Sequence, residues 1–325
     1  MFDAHHDLLT IAYQAYITGD YSYLNKISNY FNDNNVKGAI ANLYFMSTDE
    51  MNNELGVNYY KDNVSVYEMF IKAKKVLDSF IPNAEFVYSI EGADFIKDEN
   101  ELEKLYDAGL DSLILCWNNE SKYGSGNRSD KGLTPDGVKL INKAIDLGMG
   151  IDLSHANINT FYGLIELISK RKKEGKNVCC YASHSNSRKL CDVKRNLDDD
   201  QLKKIKDIGG LVGAVTVKDF IKEGDIDDNV DYRSLYIDHI EHLCQILGPN
   251  NVMIASDDMQ FLSEVVPYDG LLAVYDYSKM CKDLFFDLTR RFDEKTAYAI
   301  SYSNLKEKIY NKLKYNRENS KRGVK

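Results

Sequence analysis

The sequence has no run of about 18 apolar residues, the length that a membrane-spanning helix needs. Its first residues do not combine a charged segment with an apolar one, as a signal peptide does. Its last residues contain no hydrophobic tail that would direct lipid anchoring. These absences predict no membrane partner, and the cytoplasm is the expected location.

Positive charge is outnumbered by negative charge. The formal net charge is −9, and a basic cluster lies in the tail around Lys321 and Arg322. An acidic chain repels phosphate backbones and anionic lipid surfaces, so we expect no nucleic-acid partner. The basic tail is interpreted as a solvated chain end.

The six cysteines form no CxxC pair. Cysteines in apolar surroundings and a reducing compartment behave as small buried hydrophobic residues. A structural zinc site built from thiolates is therefore not expected. Proline is rare as well, at four residues, and no segment rich in Pro, Gly and Ser divides the chain. We therefore expect residues 1–325 to form a single domain.

Short apolar runs alternate with longer amphipathic segments along the whole chain. Such runs are typical of buried parallel strands, and the segments between them are typical of helices. Eight such runs predict a (β/α)8 barrel, with an open doubly wound sheet as the rival architecture. The runs are residues 1–7, 36–45, 84–94, 110–118, 149–155, 177–185, 209–217 and 251–258.

The helical segments carry their own start and stop signals. Over residues 133–148, Thr134 is a predicted N-cap, Pro135 occupies the first helical position and Gly148 ends the helix. Residues 65–80 place apolar side chains at helical spacing, which predicts one buried face.

Polar side chains end five of the eight apolar runs. A barrel collects the ends of its strands at one face, where the active sites of such enzymes lie. Imidazoles and carboxylates together suit zinc or another first-row divalent ion. Six candidate ligands exceed the need of one metal, so we predict two metals bridged by a carboxylate and a water. The candidates are His5, Asp7, Glu91, His155, His184 and Asp257.

His5 and Asp7 are two residues apart on a predicted strand, so both side chains point to one face and His6 to the other. Polar groups at strand ends can simply cap the chain, but agreement between five strand ends favours a metal centre. His239 and His242 lie on a helix expected outside the barrel, with no obvious carboxylate partner. They are interpreted as structural.

The motifs at these positions resemble the membrane (renal) dipeptidase family of binuclear zinc peptidases, in its bacterial subfamily. They follow the order of that family over most of the chain, and the clearest stretch is residues 130–157. The motifs are HxD at 5–7, EG at 91–92, DLSH at 152–155, SHS at 183–185 and RN at 195–196.

The resemblance implies a TIM barrel of the metal-dependent amidohydrolase type. It implies that His5 and Asp7 bind one zinc ion, that His155 and His184 bind the other, and that Glu91 bridges the two. The implied activity is a metallo-dipeptidase, with a small peptide as substrate and tolerance of a C-terminal D-residue. A homodimer is left open.

The resemblance also implies roles beside the metals. Asp257 would exchange protons during attack and leaving-group departure, together with Glu91 in the catalytic set. Arg195 would bind the free carboxylate of the dipeptide, which suits its planar guanidinium. Trp117 stands where mammalian members have a histidine, and bacterial relatives often carry Trp-Asn there. Asn118 is then a candidate donor to the developing oxyanion.

The chain departs from the family at the end of its eighth strand. The usual GSDFDG-like turn is replaced by ASDDMQ, with Met259 and Gln260 at the last two positions. This departure motivates an alternative function, hydrolysis of another amide, a lactone or an acylated amino acid by the same metal pair. A second alternative is a metal-binding protein without catalytic activity.

Overall fold

The computed structural model describes residues 1–44, 64–258, 260 and 272–322. In these ranges eight parallel strands pair in chain order, and each lies inside one of the eight predicted apolar runs. The strands are β1 (Phe2–His6), β2 (Gly38–Tyr44), β3 (Glu85–Glu91), β4 (Ser112–Ile114), β5 (Gly150–Asp152), β6 (Cys179–Ala182), β7 (Leu211–Val215) and β8 (Val252–Ala255).

Helices follow the strands and cover the outside of the sheet. Together with the strand order they confirm the (β/α)8 architecture over the rival open sheet. The α-helices are α1 (Leu8–Thr18), α2 (Ser22–Asp33), α3 (Val66–Phe80), α4 (Glu99–Ala108), α5 (Pro135–Leu147), α6 (Ile158–Lys173), α7 (Asp199–Asp207), α8 (Tyr232–Leu247), α9 (Tyr277–Arg291), α10 (Glu294–Tyr298) and α11 (Asn311–Arg322). None of the helices in the described ranges is long and apolar enough to cross a bilayer.

Local signals in the sequence account for the helix ends. The hydroxyl of Thr134 accepts a hydrogen bond from the Gly137 amide at 3.0 Å, and Pro135 opens α5. Gly148 ends the helix in the left-handed region, at a φ of 80° that disfavours side chains with a Cβ. In α3, Phe70 and Leu77 are buried on the predicted apolar face.

Hydrogen bonds between β1 and the residues that follow β8 close the barrel. The Asp3 carboxylate accepts hydrogen bonds from the Ser256 amide, at 2.9 Å, and from the Ser256 hydroxyl. The Asp257 amide donates to the His5 carbonyl at 3.0 Å. The first and last strands are thereby fixed to each other at the end where the site forms.

Apolar side chains fill the barrel interior where the strands begin. Phe2, Ile40 and Tyr181 pack there with Leu305 and Ile309 from the C-terminal helical segment. This packing closes one end of the barrel. The polar residues lie at the other end, where the strands finish.

Candidate metal centre

Glu91 lies at the middle of the polar strand ends. Its Oε2 is 3.0 Å from His5 Nε2, and its Oε1 is 2.8 Å from His155 Nε2 and 4.0 Å from His184 Nε2. His5 Nε2 is also 3.6 Å from Asp257 Oδ1. All five side chains are buried. The structure therefore brings together residues from β1 and β3 and from the segments that follow β5, β6 and β8.

An irregularity in β1 turns its metal-ligand candidates inward. The pairing register between β1 and β2 shifts before His6, so β1 contains one extra residue. Ala4 packs in the barrel interior, and strict alternation would turn His6 inward too. Instead His5 and Asp7 face the centre, with His5 Nε2 3.9 Å from Asp7 Oδ1, while the His6 ring packs edge-on against Tyr277.

Two residues of the site have a left-handed backbone, with φ of 65° at His155 and 46° at Asp257. Few residues other than glycine adopt this region, and the cost persists only where the surrounding structure imposes it. His155 lies three residues after β5, and Asp257 lies two residues after β8. In these turns the His155 ring contacts Glu91, and the Asp257 carboxylate lies beside His5.

Burial and neighbouring charges separate the pKa values of the three histidines. Burial lowers the pKa of His5, but Glu91, Asp257 and Asp7 outweigh it and raise that pKa to about 10. Burial lowers the pKa of His155 to about 4, with Arg195 acting in the same direction. Burial, His5 and Arg195 hold the pKa of His184 well below its ordinary value. His155 and His184 are therefore neutral at pH 7, the form that binds metals.

The pKa values of the three carboxylates also shift in different directions. Burial alone would raise the pKa of Glu91, but His5 and His155 outweigh it and hold that pKa below its usual range. Burial and the charge of Glu91 raise the pKa of Asp7 well above its usual value. Burial is also the main cause that raises the pKa of Asp257, with Glu91 adding to it. Three crowded carboxylates are a costly arrangement that a bound cation would relieve.

The donor atoms fit a divalent metal. Two overlapping groups, His5 with Glu91 and His184, and His5 with Asp7 and Asp257, each place their ligand atoms within 4.8 Å of one another. Asp7 Oδ1 is buried and has no hydrogen-bond partner in the described part of the chain. Buried polar atoms without partners are rare, and a metal ion would satisfy this one.

The predicted substrate-binding residues after β4 lie beside His155. Asn118 Oδ1 is 3.1 Å from His155 Nδ1, so the amide oxygen accepts the Nδ1 proton. The half-buried Trp117 ring lies 6.1 Å from the His155 ring, between centroids, and packs edge-on against Tyr44 at 5.1 Å. This pair of aromatic rings forms a wall of the site.

Arg195 lies on the other side, after β6. Its Nη2 donates to the His184 carbonyl at 3.0 Å, and its guanidinium lies 5.3 Å from the centre of the Phe220 ring. Burial lowers its pKa, while Asp257 and Glu91 act in the opposite direction. Arg195 Nε is buried and has no hydrogen-bond partner among the described residues. A donor is thus left for a ligand close to the metal-ligand candidates.

Two residues of the site were not among the sequence candidates. Asn42 of β2 lies with Nδ2 3.0 Å from His5 Nδ1. Ser183 lies with Oγ 3.3 Å from His5 Nδ1 and 2.7 Å from His184 Nδ1. Ser183 belongs to the SHS motif, and Asn42 is a polar residue in an apolar run. Both signals were present in the sequence, but neither side chain is a typical zinc ligand.

His239 and His242 lie on α8, outside the barrel. His239 accepts a hydrogen bond from the Ser187 amide at 3.1 Å and donates to the Ile221 carbonyl at 2.9 Å. His242 Nε2 is 2.8 Å from Asp199 Oδ1, so the expectation that it lacks a carboxylate partner was wrong. The contacts of His239 hold two loop segments, the contact of His242 joins α8 to α7, and the structural interpretation of both residues stays in place.

The turn after β8 is described only in part. Asp258 is buried and accepts a hydrogen bond from the Tyr23 hydroxyl at 3.1 Å. Met259 lies outside the described residues, so the consequence expected from the ASDDMQ departure stays a prediction.

Comparison with known proteins assigns the family. A family profile described as "Membrane dipeptidase (Peptidase family M19)" matches residues 58–311, more than half of the chain. The chain therefore belongs to the membrane dipeptidase family, peptidase family M19, a family of peptide-bond hydrolases. His5 and Asp7 precede the matched range, and the other four metal-centre candidates lie inside it.

Curated relatives agree with the assignment. An uncharacterized protein from the pqqA 5′ region of Klebsiella pneumoniae is 32% identical over 180 residues, covering 53% of this chain and 64% of that protein. Mouse dipeptidase 3 is 29% identical over 196 residues, covering 58% of this chain and 34% of that protein. The matched region thus spans less than two thirds of either relative.

Solved structures share the barrel. A metallopeptidase from Rhodobacter sphaeroides, liganded with a phosphinate mimic of the dipeptide L-Ala-D-Ala, superposes with a TM-score of 0.69 at 18% identity, covering 96% of this chain and 98% of that one. Dihydroorotase from Saccharomyces cerevisiae superposes with a TM-score of 0.52 at 12% identity, covering 88% of this chain and 80% of that one. At these identities the likeness concerns the fold alone, and it confirms the TIM barrel.

Proposed function

We propose that this chain is a single-domain dipeptidase with two zinc ions bridged by Glu91 and a water. The observation that carries the proposal is the orientation of Glu91. Its two oxygens face different histidines, with Oε2 3.0 Å from His5 Nε2 and Oε1 2.8 Å from His155 Nε2. A carboxylate that bridges two metals presents one oxygen to each in this way.

The remaining ligands divide around Glu91. His5 and Asp7 would hold one ion, with Asp257 beside it, and His155 and His184 would hold the other. Nitrogen and oxygen donors in these numbers suit zinc. When bound, such a pair supplies a water of lowered pKa and polarises the peptide carbonyl.

Asp257 is proposed as the residue that moves protons. Its carboxylate is buried next to the centre and its pKa is raised. A carboxylate of raised pKa takes a proton from the attacking water and returns it to the leaving amine more readily than an ordinary one. Its left-handed backbone and the hydrogen bond from its amide to the His5 carbonyl hold it in this position.

The substrate would lie between Arg195 and the wall of Trp117 and Tyr44. The buried Nε and the guanidinium of Arg195 suit the free carboxylate of a dipeptide. A site that holds the C-terminal end through its carboxylate admits either configuration at that residue. The dipeptide mimic bound by the Rhodobacter protein makes L-Ala-D-Ala a first substrate to test.

The test is elemental analysis of gently purified protein combined with hydrolysis of L-Ala-D-Ala and L-Ala-L-Ala. Two zinc ions per chain and cleavage that a chelator abolishes are expected. Two metals without dipeptide cleavage would contradict the substrate and direct the search to N-acylated amino acids and lactones. Absence of metal after zinc is added would contradict the centre itself.

A further inference from the structure

One hydroxyl group contacts histidines on both sides of the proposed metal pair. Ser183 Oγ lies 3.3 Å from His5 Nδ1 and 2.7 Å from His184 Nδ1. Both contacts are fully buried, and the two rings lie with their centroids 3.6 Å apart. In the centre proposed above, His5 and His184 bind different metal ions.

The hydrogen-bond donors and acceptors around Ser183 can be counted. An imidazole that binds a metal through Nε2 carries its proton on Nδ1. A serine oxygen has two lone pairs and one proton, so it can accept from two N–H groups and donate once. The Ser154 hydroxyl lies 3.4 Å from Ser183 Oγ, and either of the two can donate. When both histidines carry Nδ1 protons, Ser183 accepts from both rings and its own proton is left for Ser154.

Backbone contacts hold Ser183 in place. Its amide donates to Asp152 Oδ1 at 3.0 Å, and the Ser154 amide donates to the same oxygen at 3.0 Å. The His184 amide donates to Ser154 Oγ at 3.2 Å. The ends of β5 and β6 are thus tied together through Asp152, and the hydroxyl of Ser183 is fixed between the two rings.

Asn42 is consistent with the same state. Its Oδ1 is buried without a hydrogen-bond partner among the described residues, while its Nδ2 lies 3.0 Å from His5 Nδ1. Asn42 Nδ2 also donates to the Ile40 carbonyl at 3.3 Å. When His5 carries a proton on Nδ1, rotation of the amide would give up that longer hydrogen bond and turn the orphaned oxygen toward the His5 proton.

We propose that Ser183 is a positioning residue shared by both halves of the metal centre, accepting the Nδ1 protons of His5 and His184 and so orienting both Nε2 atoms toward metal. The inference rests on the proposed two-metal centre. It adds that one side chain orients a ligand of each ion.

Zinc titration of the metal-free protein against a chromogenic chelator tests this. Ser183→Ala should weaken both zinc sites by about 10- to 100-fold, the usual effect of losing an outer partner of a ligand. Ser185→Ala is the matched control, because its hydroxyl is equally buried in the same segment and has no hydrogen-bond partner in the described structure. It should leave both affinities unchanged.

If Ser183→Ala weakens zinc binding at one site alone, or at neither, Ser183 does not serve both halves of the centre and the proposal is overturned. Thermal unfolding of the metal-free variants separates this result from loss of folding, since both alanine variants should still unfold in one cooperative transition, Ser183→Ala at a somewhat lower temperature because it loses buried hydrogen bonds. Wild-type protein that binds fewer than two zinc ions overturns the proposed centre and this inference with it. Because zinc uptake is measured without substrate, absence of dipeptide cleavage does not affect the result.

A measurement on the unchanged protein covers the case in which Ser183→Ala does not fold. Long-range proton–nitrogen correlation spectra of zinc-loaded protein, labelled with nitrogen-15 at histidine, report which ring nitrogen carries the proton. Both His5 and His184 should carry it on Nδ1. A proton on Nε2 of either ring overturns the proposal.

Discussion

The Nε2 atoms of His155 and His184 lie 3.0 Å apart. Burial and Arg195 hold the pKa values of both below the ordinary range, so both rings are neutral. With the Nδ1 proton of His155 donated to Asn118 and that of His184 to Ser183, both Nε2 lone pairs face one space, and a metal ion placed there would find two neutral ligands aimed at one point. The two residues therefore act as a pair.

Loss of one member of this pair should remove one metal. We expect His184→Ala to bind one zinc ion per chain in place of two, measured by elemental analysis. Peptidase activity should fall to the background of the assay, because the water of the proposed centre is held between two ions and loses one of them. His242→Ala is the control, since that residue pairs with Asp199 outside the barrel. Retention of two zinc ions by His184→Ala would contradict its assignment as a ligand.

The proton-transfer role of Asp257 predicts a defect in turnover. Asp257→Asn keeps the size of the side chain and removes its basicity, so kcat should fall by about 10²- to 10⁴-fold. The KM for L-Ala-D-Ala should change little. Asp258→Asn tests the neighbouring buried carboxylate, which contacts Tyr23, and should keep most of the activity. Equal losses in the two variants would speak against a special role for Asp257.

Arg195 should act on substrate binding. Arg195→Lys keeps the charge but loses the planar fork, so kcat/KM should fall about 10- to 100-fold, mainly through a higher KM. A dipeptide amide, which lacks the carboxylate, supplies the control. For wild-type protein, replacing the dipeptide by its amide should lower kcat/KM by about the same factor as Arg195→Lys lowers it for the dipeptide. The variant should hydrolyse the dipeptide and its amide with similar kcat/KM. Unchanged discrimination would contradict a contact between Arg195 and the carboxylate.

The sequence predicted the barrel because each strand is an apolar run with its own flanking helix. All eight strands lie within the predicted runs. The strand-end rule also singled out the residues that the structure groups around Glu91. Both inferences rest on local sequence patterns. Such patterns predict the fold well when every element shows the same one.

Contacts between elements were harder to predict. The irregularity before His6 depends on how β1 pairs with β2, and it decides which of two adjacent histidines faces the metal centre. The shared contacts of Ser183 depend on the distance between rings from β1 and β6. The partner of His242 comes from another helix, 43 residues away. No single segment of sequence contains such information.

His239 should make the stability of the protein sensitive to acid. Burial lowers the pKa of His239, while an unfolded histidine titrates near about 6.5. Its contribution is therefore complete above the unfolded pKa and is lost as the pH falls, since only the unfolded chain binds the proton. A protonated ring also cannot accept the hydrogen bond from the Ser187 amide.

His239→Gln should cost about 1–3 kcal/mol in the free energy of unfolding at pH 7.5, because buried partners lose hydrogen bonds. Between pH 7.5 and pH 5 the variant should lose less stability than wild type. Urea unfolding at both pH values gives the stability that each protein loses between them. Subtracting the loss of the variant from that of wild type removes the contribution of the titrating groups that both proteins share. His242→Gln serves as the control for a less buried histidine of the same helix. A steeper loss in His239→Gln would refute the argument.

Asn118 allows two roles to be separated with two substitutions. Its Oδ1 accepts the His155 Nδ1 proton at 3.1 Å, and its Nδ2 is the candidate donor to the oxyanion. Asn118→Asp keeps the acceptor and removes the NH₂ group. Asn118→Ala removes both. Zinc affinity and kcat therefore report on different atoms of one side chain.

If the amide donates to the oxyanion, both variants should lower kcat by about 10²- to 10³-fold. If it orients His155, Asn118→Ala should weaken zinc binding by about tenfold or more, while Asn118→Asp should bind zinc at least as tightly as wild type. We expect both effects together, so that Asn118→Asp shows normal zinc uptake and reduced turnover. Full turnover in Asn118→Asp would eliminate the oxyanion role and leave Asn118 as a partner of the metal ligand alone.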